Sequence, residues 1–266
     1  MTTPCLSRFV SHGVTLLGDQ RHPGGVTLAF TERTGGVSAP PYESLNLGDR
    51  CGDDPHAVAE NRFRAIRAAG AGEWEARLVN PHQVHGDHVI LVSSEDEASI
   101  DAAKRAASAG ADAVVCVAPH IPVLLCYADC VPVVLVVEGG FAVVHSGWRG
   151  TAARISGKAL DVLLSATGCQ ARDALAYIGP HIAGPDYQVS HELLERFVGE
   201  FGPEVDCGGD RLDLARAIEV TLEARGVPSS SILDCGVSTP RSLDRFYSYR
   251  AEGGTCGRHG AIAFMS

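Results

Sequence analysis

Three histidines lie three residues apart in the segment NPHQVHGDH, and imidazole is a common ligand of transition metals and a proton carrier near neutral pH. They are His82, His85 and His88. In an extended segment the side chains alternate between two faces, so His82 and His88 would share one face and His85 would point to the other. One strand therefore cannot easily direct all three rings at a single ion. A ligand from this segment needs partners elsewhere, and otherwise it is an ordinary surface histidine.

A second polar group, YADC at residues 127–130, interrupts the most apolar stretch of the chain. A carboxylate within such a stretch must be hydrogen-bonded or lie at a strand end, because an unsatisfied buried charge is costly. Cys130 taken alone is typical of a small core residue. Next to Asp129 it becomes a candidate for a thiolate metal ligand or a nucleophile.

A third group occurs in VVHSGWRGTAARI, where an apolar strand leads into His145, a turn between glycines, and a helix. The backbone N–H groups and the positive helix end at such a junction favour a bound anion. Arg149 adds a guanidinium, which suits bidentate recognition of phosphate or carboxylate. In the structural alternative, His145 simply ends the strand and Trp148 is a packing residue.

These three segments together offer two imidazoles and one thiolate, from His85, Cys130 and His145, a donor set that suits zinc. Three protein ligands leave a fourth position for water or substrate, which is the arrangement of catalytic zinc sites. The spacing alone does not establish that the three residues converge. The chain has no GxSxG nucleophile motif, no P-loop and no dinucleotide-binding fingerprint.

The elements that must position these residues form an irregular alternation of strands and helices. A strand at VTLAF is predicted to enter a long turn-rich loop, and Asp54-Pro55 predicts the start of a helix that ends near Gly70. Residues 94–110 predict a surface helix that is a candidate for a dispensable insertion. Further helices are predicted after GWRG, near residues 190–200 and at residues 211–226. Strands are predicted on both sides of the histidine turn, through residues 113–137, and at FAVVH, ALAYIGP, ILDCG and GAIAFM. This order favours mixed α/β layers in one domain of residues 1–266.

Charge, cysteine usage and hydropathy exclude several classes of protein. The chain has 266 residues and a net charge of -10 without any run of lysine or arginine, which argues against a nucleic-acid binder. Nine irregularly spaced cysteines and an N-terminus without the pattern of a signal peptide favour the cytoplasm. Residues 113–137 are long enough to span a bilayer, but three prolines and Asp129 favour successive buried strands, so no membrane association is expected.

Six ordered segments resemble the YfiH/laccase-domain family, whose members are variously labelled polyphenol oxidase, peptidoglycan editing factor and purine nucleoside phosphorylase. They are TERTGGVSAPPYESLNLGDRCGDDPHAVAENR, QVHGDHV, ADAVVCVAPHIPVLLCYADCVPVV, AVVHSGWRGTAARI, YIGPHIAGPDYQV and RFYSYRAEGGTCGR, and they run from about residue 25 to 262. The resemblance implies a YfiH-like α+β fold, a layered sandwich with mixed sheets. Ser146 stands where relatives have Ala, and Asp186 where they often have Cys.

The same resemblance implies roles for individual residues. His85, Cys130 and His145 fall on the family's zinc ligands and are therefore also the expected catalytic residues. The expected substrate or phosphate contacts are Arg33 and Arg149, with weaker candidates for pocket roles at Asn46, Gln83, Asp129 and Tyr249. His82 and His88 have no role in this assignment.

The implied activity is phosphorolysis of purine nucleosides (adenosine, inosine, guanosine and methylthioadenosine), with adenosine deamination as a second reaction. Zinc suits deamination because it lowers the pKa of bound water to about 7. Copper-dependent polyphenol oxidation is an alternative through a single copper, although none of the 11 histidines forms the HxH pairs of a multicopper centre. Hydrolysis of muramyl intermediates in cell-wall precursor editing, with Cys130 as the nucleophile, is another. A binding-only protein with a zinc-stabilised fold is the remaining class, and the oligomeric state is open.

Overall fold

The computed structural model describes residues 3–266, which form strands and helices in mixed order. The strands are β1 (Ser7–Ser11), β2 (Val14–Gly18), β3 (Val26–Thr31), β4 (Val89–Val92), β5 (Ala113–Cys116), β6 (Val123–Tyr127), β7 (Val131–Val137), β8 (Gly140–Ser146), β9 (Leu175–Ile178), β10 (Ile232–Asp234) and β11 (His259–Met265). The α-helices are α1 (Pro55–Ala69), α2 (Glu97–Ala109), α3 (Trp148–Ala152), α4 (Ile155–Thr167), α5 (His191–Phe201) and α6 (Leu214–Glu223). Among residues 3–266, no helix is both long enough and apolar enough to cross a bilayer.

The strands form two sheets, and this confirms the predicted α+β class. The first sheet has the order β1-β2-β3-β11-β6 and is antiparallel throughout. The second has the order β10-β9-β7-β8-β5-β4 and is mixed, because the pairs β10–β9 and β4–β5 are parallel while the other pairs are antiparallel. Only one of the two sheets is therefore mixed.

Both faces of each sheet are covered, which explains why the central strands are apolar at nearly every position. Side chains alternate along β7: Val134 and Val136 lie in a core between the sheets, while Val133 and Leu135 lie in a second core beneath α4, α5 and α6. A third core, which includes Phe264 of β11, lies between the first sheet and α1. The fold is thus a four-layer sandwich with helices on the outside.

Local signals set the ends of α1 as predicted. The Asp54 carboxylate accepts a hydrogen bond from the His56 N–H, and Pro55 occupies the first turn, where no backbone donor is needed. Gly70 ends the helix with φ 100°, a conformation that favours glycine. The helix predicted after GWRG is instead divided into α3 and α4, because Arg154 adopts φ 58° between them.

Two further segments differ from the sequence-based expectation. The strand predicted before the histidine turn is reduced to one bridge between Val79 and Val123, so residues 80–88 form a loop. The candidate insertion at residues 94–110 forms α2, whose inner residues Ile100 and Ala107 are buried in the core between the sheets. This helix therefore contributes to the core as well as to the surface.

Candidate metal centre in an arginine-rich cavity

Strand pairing in the second sheet brings two of the predicted metal ligands together. Val131 of β7 lies opposite Ser146 of β8, so Cys130, just before β7, lies beside His145 near the end of β8. The pairing of β5 with β8 places Asp112, just before β5, beside the same histidine, whose backbone N–H donates to the Asp112 carbonyl at 2.7 Å. The centre is thus built where three strand ends meet.

The loop of residues 80–88 supplies the third ligand, and Asp112 holds it in place. Its carboxylate accepts hydrogen bonds from the backbone N–H groups of Val84 (3.2 Å), His85 (2.9 Å) and Gly86 (2.7 Å). His85 itself adopts φ 58°, which turns the chain sharply at this residue. Asp112 is fully buried, so these bonds fix the loop against the start of β5.

His85, Cys130 and His145 converge, with one ligand atom from each lying within 4.8 Å of the others. Their burial differs: His145 is buried, Cys130 is half-buried and His85 is exposed, so the group is open on one side. Gly147 leaves room for it, since a Cβ at that position would lie 3.1 Å from the Cys130 Sγ and 3.2 Å from the His85 Cδ2. Two imidazoles and a thiolate around a shared open space could hold a metal ion.

The electrostatics favour a Cys130 thiolate beside a protonated His145. Burial would lower the pKa of His145, but the Cys130 charge and the hydrogen bond to Asp112 outweigh it and raise that pKa to about 9, so metal binding would displace a proton from this ring. Burial would raise the pKa of the Cys130 thiol, but the positive His145 and hydrogen bonds from His145 and His85 outweigh it and hold that pKa below its usual range. The thiolate is therefore the favoured form, and the thiolate is the metal-binding form. The His145 Nδ1 lies 2.8 Å from the Asp112 Oδ1, which leaves Nε2 as the nitrogen available to an ion.

A cavity of about 610 Å³ opens beside this group and includes all three candidate ligands in its lining. Most of the charged side chains that line it are basic. They are Arg50, Arg62, Arg149, Arg250 and Arg258, against the carboxylates of Asp49 and Asp129. The aromatic rings of Trp148, Tyr187 and Tyr249 also line the space. The cavity therefore offers metal ligands, cations for an anion and rings for a planar group.

Two of the predicted contact residues line the cavity with their functional groups available. The Arg149 guanidinium lies over the Trp148 ring, 4.4 Å from its centroid, and forms no ion pair with any carboxylate among residues 3–266. The Tyr249 side chain is 54% exposed. Of the two other histidines in the turn, His82 lines the cavity, whereas the His88 ring bonds the Gly110 carbonyl at 2.8 Å.

Gln83 and Asp129 also line the cavity, but hydrogen bonds to neighbouring segments occupy their polar atoms. The Gln83 amide donates to the Cys126 carbonyl at 2.7 Å and accepts from the Cys126 N–H at 2.8 Å. The Asp129 carboxylate accepts from the Thr239 hydroxyl at 2.6 Å and from the Arg250 N–H at 2.7 Å. Both side chains brace the cavity wall in this structure.

The structure does not bring Arg33 or Asn46 to the cavity. The Arg33 guanidinium donates to backbone carbonyls, pairs with Glu252 at 3.1 Å and lies over the Tyr247 ring at 4.2 Å. Asn46 is fully buried, and its amide donates to the Asp53 carboxylate at 2.8 Å. In this structure both side chains support the loops near the cavity, and the substrate contact expected from the resemblance stays a prediction.

Sequence reasoning missed Asp112 and most of the arginines. A signal for Asp112 exists, because an aspartate directly before the apolar run AVVC must satisfy its carboxylate at a buried strand end. No comparable local signal marks Arg62 or Arg258, which lie on α1 and just before β11 and meet only in the folded chain.

The four-layer sandwich thus carries two imidazoles and a thiolate in a basic cavity, a group that could hold a metal ion. Residues 27–266 match the family model described as multi-copper polyphenol oxidoreductase laccase, and the chain belongs to this family. Among residues 3–266 there is one cluster of three potential ligands, and it could hold one ion.

Curated relatives and solved structures agree with this membership. The chain is 38% identical over 253 residues to a protein of Shigella flexneri named purine nucleoside phosphorylase YfiH, covering 91% of this chain and 95% of that one. It is 37% identical over 242 residues to a purine nucleoside phosphorylase of Deinococcus radiodurans, covering 88% and 87%. Similar solved structures include the hypothetical protein YfiH of Bacillus licheniformis (TM-score 0.84, 25% identity, 94% and 96% covered) and YlmD of Geobacillus stearothermophilus (0.81, 29%, 95% and 96%).

Proposed function

We propose that this chain is a zinc-dependent purine nucleoside phosphorylase that acts on adenosine, inosine, guanosine and methylthioadenosine and also deaminates adenosine. The observation that carries the proposal is the convergence of His85, Cys130 and His145 in a cavity that also presents the unpaired guanidinium of Arg149. Relatives named purine nucleoside phosphorylase support the reaction class. Purine nucleosides and phosphate are then the partners, with no role for nucleic acid or membrane.

Phosphorolysis exchanges one bond at the sugar for another. An oxygen of dihydrogen phosphate forms a bond to C1′ while the C1′–N9 bond breaks, and the electron pair of that bond goes to the purine, which takes up the phosphate proton. Arg149 is suited to hold the phosphate through two parallel hydrogen bonds. The rings of Trp148, Tyr187 and Tyr249 are available to pack against the planar base.

The residues present fit a zinc ion. His85, Cys130 and His145 would hold it, and Asp112 would orient His145 from behind, as carboxylates commonly do for zinc-binding histidines. When bound, zinc supplies a Lewis acid for departure of the base and for activation of water in deamination. Copper suits the same donors, so a copper-loaded form with polyphenol oxidase activity is a secondary proposal that the family description favours.

A hydrolase that edits muramyl intermediates is the alternative that the thiol geometry favours. The pKa of Cys130 is held low beside His145, which is the arrangement of an activated nucleophile and its base. This alternative requires a free thiolate, whereas stoichiometric zinc would occupy it. Metal content measured beside activity therefore separates the two reactions.

The cellular setting completes the proposal. All nine cysteines are free thiols, which agrees with a reducing compartment, and the cytoplasm is proposed on this ground. The chain is proposed to act as one domain over residues 1–266. Both statements are consistent with a small-molecule enzyme that uses cytoplasmic nucleosides and phosphate.

The test is a product assay on metal-quantified protein, with adenosine and inosine, in the presence and absence of phosphate. We expect phosphate-dependent release of adenine and hypoxanthine, lost in His85→Ala and Cys130→Ala, and release of inosine from adenosine without phosphate. Arg149→Ala should weaken the phosphate dependence, while the exposed Arg172→Ala serves as the matched control. Zinc-loaded protein that forms none of these products would overturn the nucleoside assignment in favour of muramyl editing.

A further inference from the structure

The cavity carries more positive charge than a single phosphate site requires. Five arginines and two aspartates line it, although the whole chain has a net charge of -10. Among residues 3–266, no carboxylate forms an ion pair with Arg50, Arg149, Arg250 or Arg258. A concave surface lined by uncompensated guanidinium groups attracts anions and holds them with bidentate hydrogen bonds.

One group of arginines lies near the metal ligands. The Arg250 guanidinium lies 5.3 Å from the centroid of the Tyr187 ring. Burial and the nearby Cys130 raise the pKa of Tyr187 to about 12, and Arg250 and Arg149 oppose that rise. Arg149 and Arg250 therefore share the neighbourhood of Cys130, where the phosphate of the proposed reaction would be held.

A second group lies around the loop that precedes α1. The Arg62 Nε donates to the Leu47 carbonyl at 2.8 Å, and its Nη2 lies 3.4 Å from the Asp49 carboxylate. The side chain of Arg258 packs on Gly48, whose Cβ, if present, would lie 2.6 Å from the Arg258 Cγ. The aliphatic part of Arg258 is thus fixed against this loop. Arg258 also lines the cavity, and its Nη1 donates to the Cys256 carbonyl at 2.7 Å and to the Gly257 carbonyl at 2.8 Å, which orients the guanidinium.

Leu47 brings these two arginines to one place, because its carbonyl accepts from the Arg62 Nε at 2.8 Å and its N–H donates to the Arg258 carbonyl at 2.9 Å. The Cys126 thiol donates to the same Leu47 carbonyl; burial raises its pKa to about 11, and Arg62 and Arg258 both oppose that rise. Cys126 lies in β6 of the first sheet and Cys130 just before β7 of the second, so the two groups of arginines are associated with different sheets. A single orthophosphate held beside Cys130 leaves the second group without an anion.

We propose that Arg62 and Arg258, with the exposed Arg50, form a second anion subsite, and that the cavity binds nucleosides that carry a 5′-phosphate. This inference rests on the proposed function for the nucleoside itself. Orthophosphate must approach C1′, whereas C5′ projects from the far side of the ribose, so an anion at C5′ is directed away from Arg149. A volume of about 610 Å³ lies within the range of small-molecule sites.

The test compares the dissociation constants of AMP and adenosine on zinc-loaded protein in phosphate-free buffer, from tryptophan fluorescence recorded by stopped flow before adenosine is deaminated. We expect AMP to bind about tenfold more tightly or better, as charge-assisted hydrogen bonds to one or two guanidiniums would give. Arg62→Gln should bring the ratio of the adenosine dissociation constant to the AMP dissociation constant towards one. Asp49→Asn should raise the ratio, because it removes the carboxylate that pairs with Arg62. Arg172→Gln is the matched control and should leave it unchanged.

The outcomes separate the inference from the function on which it rests. AMP binding no more tightly than adenosine, in protein that phosphorolyses adenosine, would overturn the second subsite alone. An unchanged ratio of these two dissociation constants in both Arg62→Gln and Asp49→Asn would overturn the second subsite as well. Adenosine binding by each variant checks that it is folded. Arg149→Gln should reduce the phosphate dependence of catalysis without reducing the ratio. A protein that binds neither ligand would contradict both proposals.

Discussion

Replacing Asp112 by asparagine tests how one buried carboxylate organises the candidate metal centre. The side chain is fully buried and accepts four hydrogen bonds, two at each oxygen. Oδ1 receives the His145 ring and the His85 N–H, while Oδ2 receives the N–H groups of Val84 and Gly86. An asparagine side chain of the same shape replaces one acceptor by an NH₂ donor. Either orientation of the amide therefore leaves two of these four donors facing another donor.

The expected magnitudes follow from these contacts. A buried polar group left without its partner costs about 1–3 kcal/mol, so two donors left without an acceptor should lower the free energy of unfolding by about 2–6 kcal/mol. The metal should be affected separately, because loss of a carboxylate behind a metal-binding histidine lowers metal affinity about 10- to 100-fold. The exposed edge of the site, at His85, should become more mobile because its loop loses its anchor.

The assay measures zinc affinity by competition with a chromophoric chelator, and stability by urea unfolding of the metal-free protein. Asp19→Asn is the matched control, since the Asp19 carboxylate is also buried and accepts hydrogen bonds from Arg21, from Tyr177 and from the Cys5 N–H, far from the centre. We expect the control to lose stability to a similar extent but to keep its zinc affinity. A Asp112→Asn variant with wild-type zinc affinity and a clear loss of stability would refute a positioning role for this carboxylate.

Two further predictions concern the neighbourhood of the site. Gly147→Ala should weaken zinc binding, because the added Cβ would lie 3.1 Å from the Cys130 Sγ and 3.2 Å from the His85 Cδ2; unchanged affinity in the chelator assay would show that the ligands move aside at little cost. His259 is fully buried, its Nδ1 has no hydrogen-bond partner among residues 3–266, and burial lowers its pKa to about 3. The folded protein therefore keeps His259 neutral, whereas the unfolded chain protonates it below about pH 6.5. The contribution of His259 to the free energy of unfolding is complete above about pH 6.5 and falls by about 1.4 kcal/mol for each pH unit between there and pH 3. His259→Phe should flatten that part of the profile of unfolding free energy against pH, and an identical slope in both proteins would assign the acid sensitivity to other groups.

The ends of individual elements were largely predictable from the sequence. Asp54, Pro55 and Gly70 act on the backbone within one helical turn, so the bounds of α1 could be read from neighbouring residues alone. The apolar runs through residues 113–137 likewise indicated strands buried on both faces, as the two cores around β7 show. The division between α3 and α4 was missed, because Arg154 packs over the ring of Phe201 on another helix.

The residue types of the candidate metal centre came from the sequence, but their convergence did not. Cys130 and His145 are neighbours because β7 and β8 pair with a particular register, and His85 joins them because Asp112, held at the start of β5, binds its loop. Register depends on the burial of whole strands, and a shift by one residue would turn every side chain to the opposite face. No local pattern carries that information.

The chemistry available to this chain was thus determined by its sequence: two imidazoles, one reactive thiol and an arginine after a glycine turn. The tertiary structure decided which groups meet. It placed Arg33 against Glu252 and away from the cavity, and it brought Arg62 and Arg258 together from distant parts of the chain. The physical reason is range: capping and turn preferences act over a few residues, whereas a binding site forms only when the burial of two sheets fixes distant segments side by side.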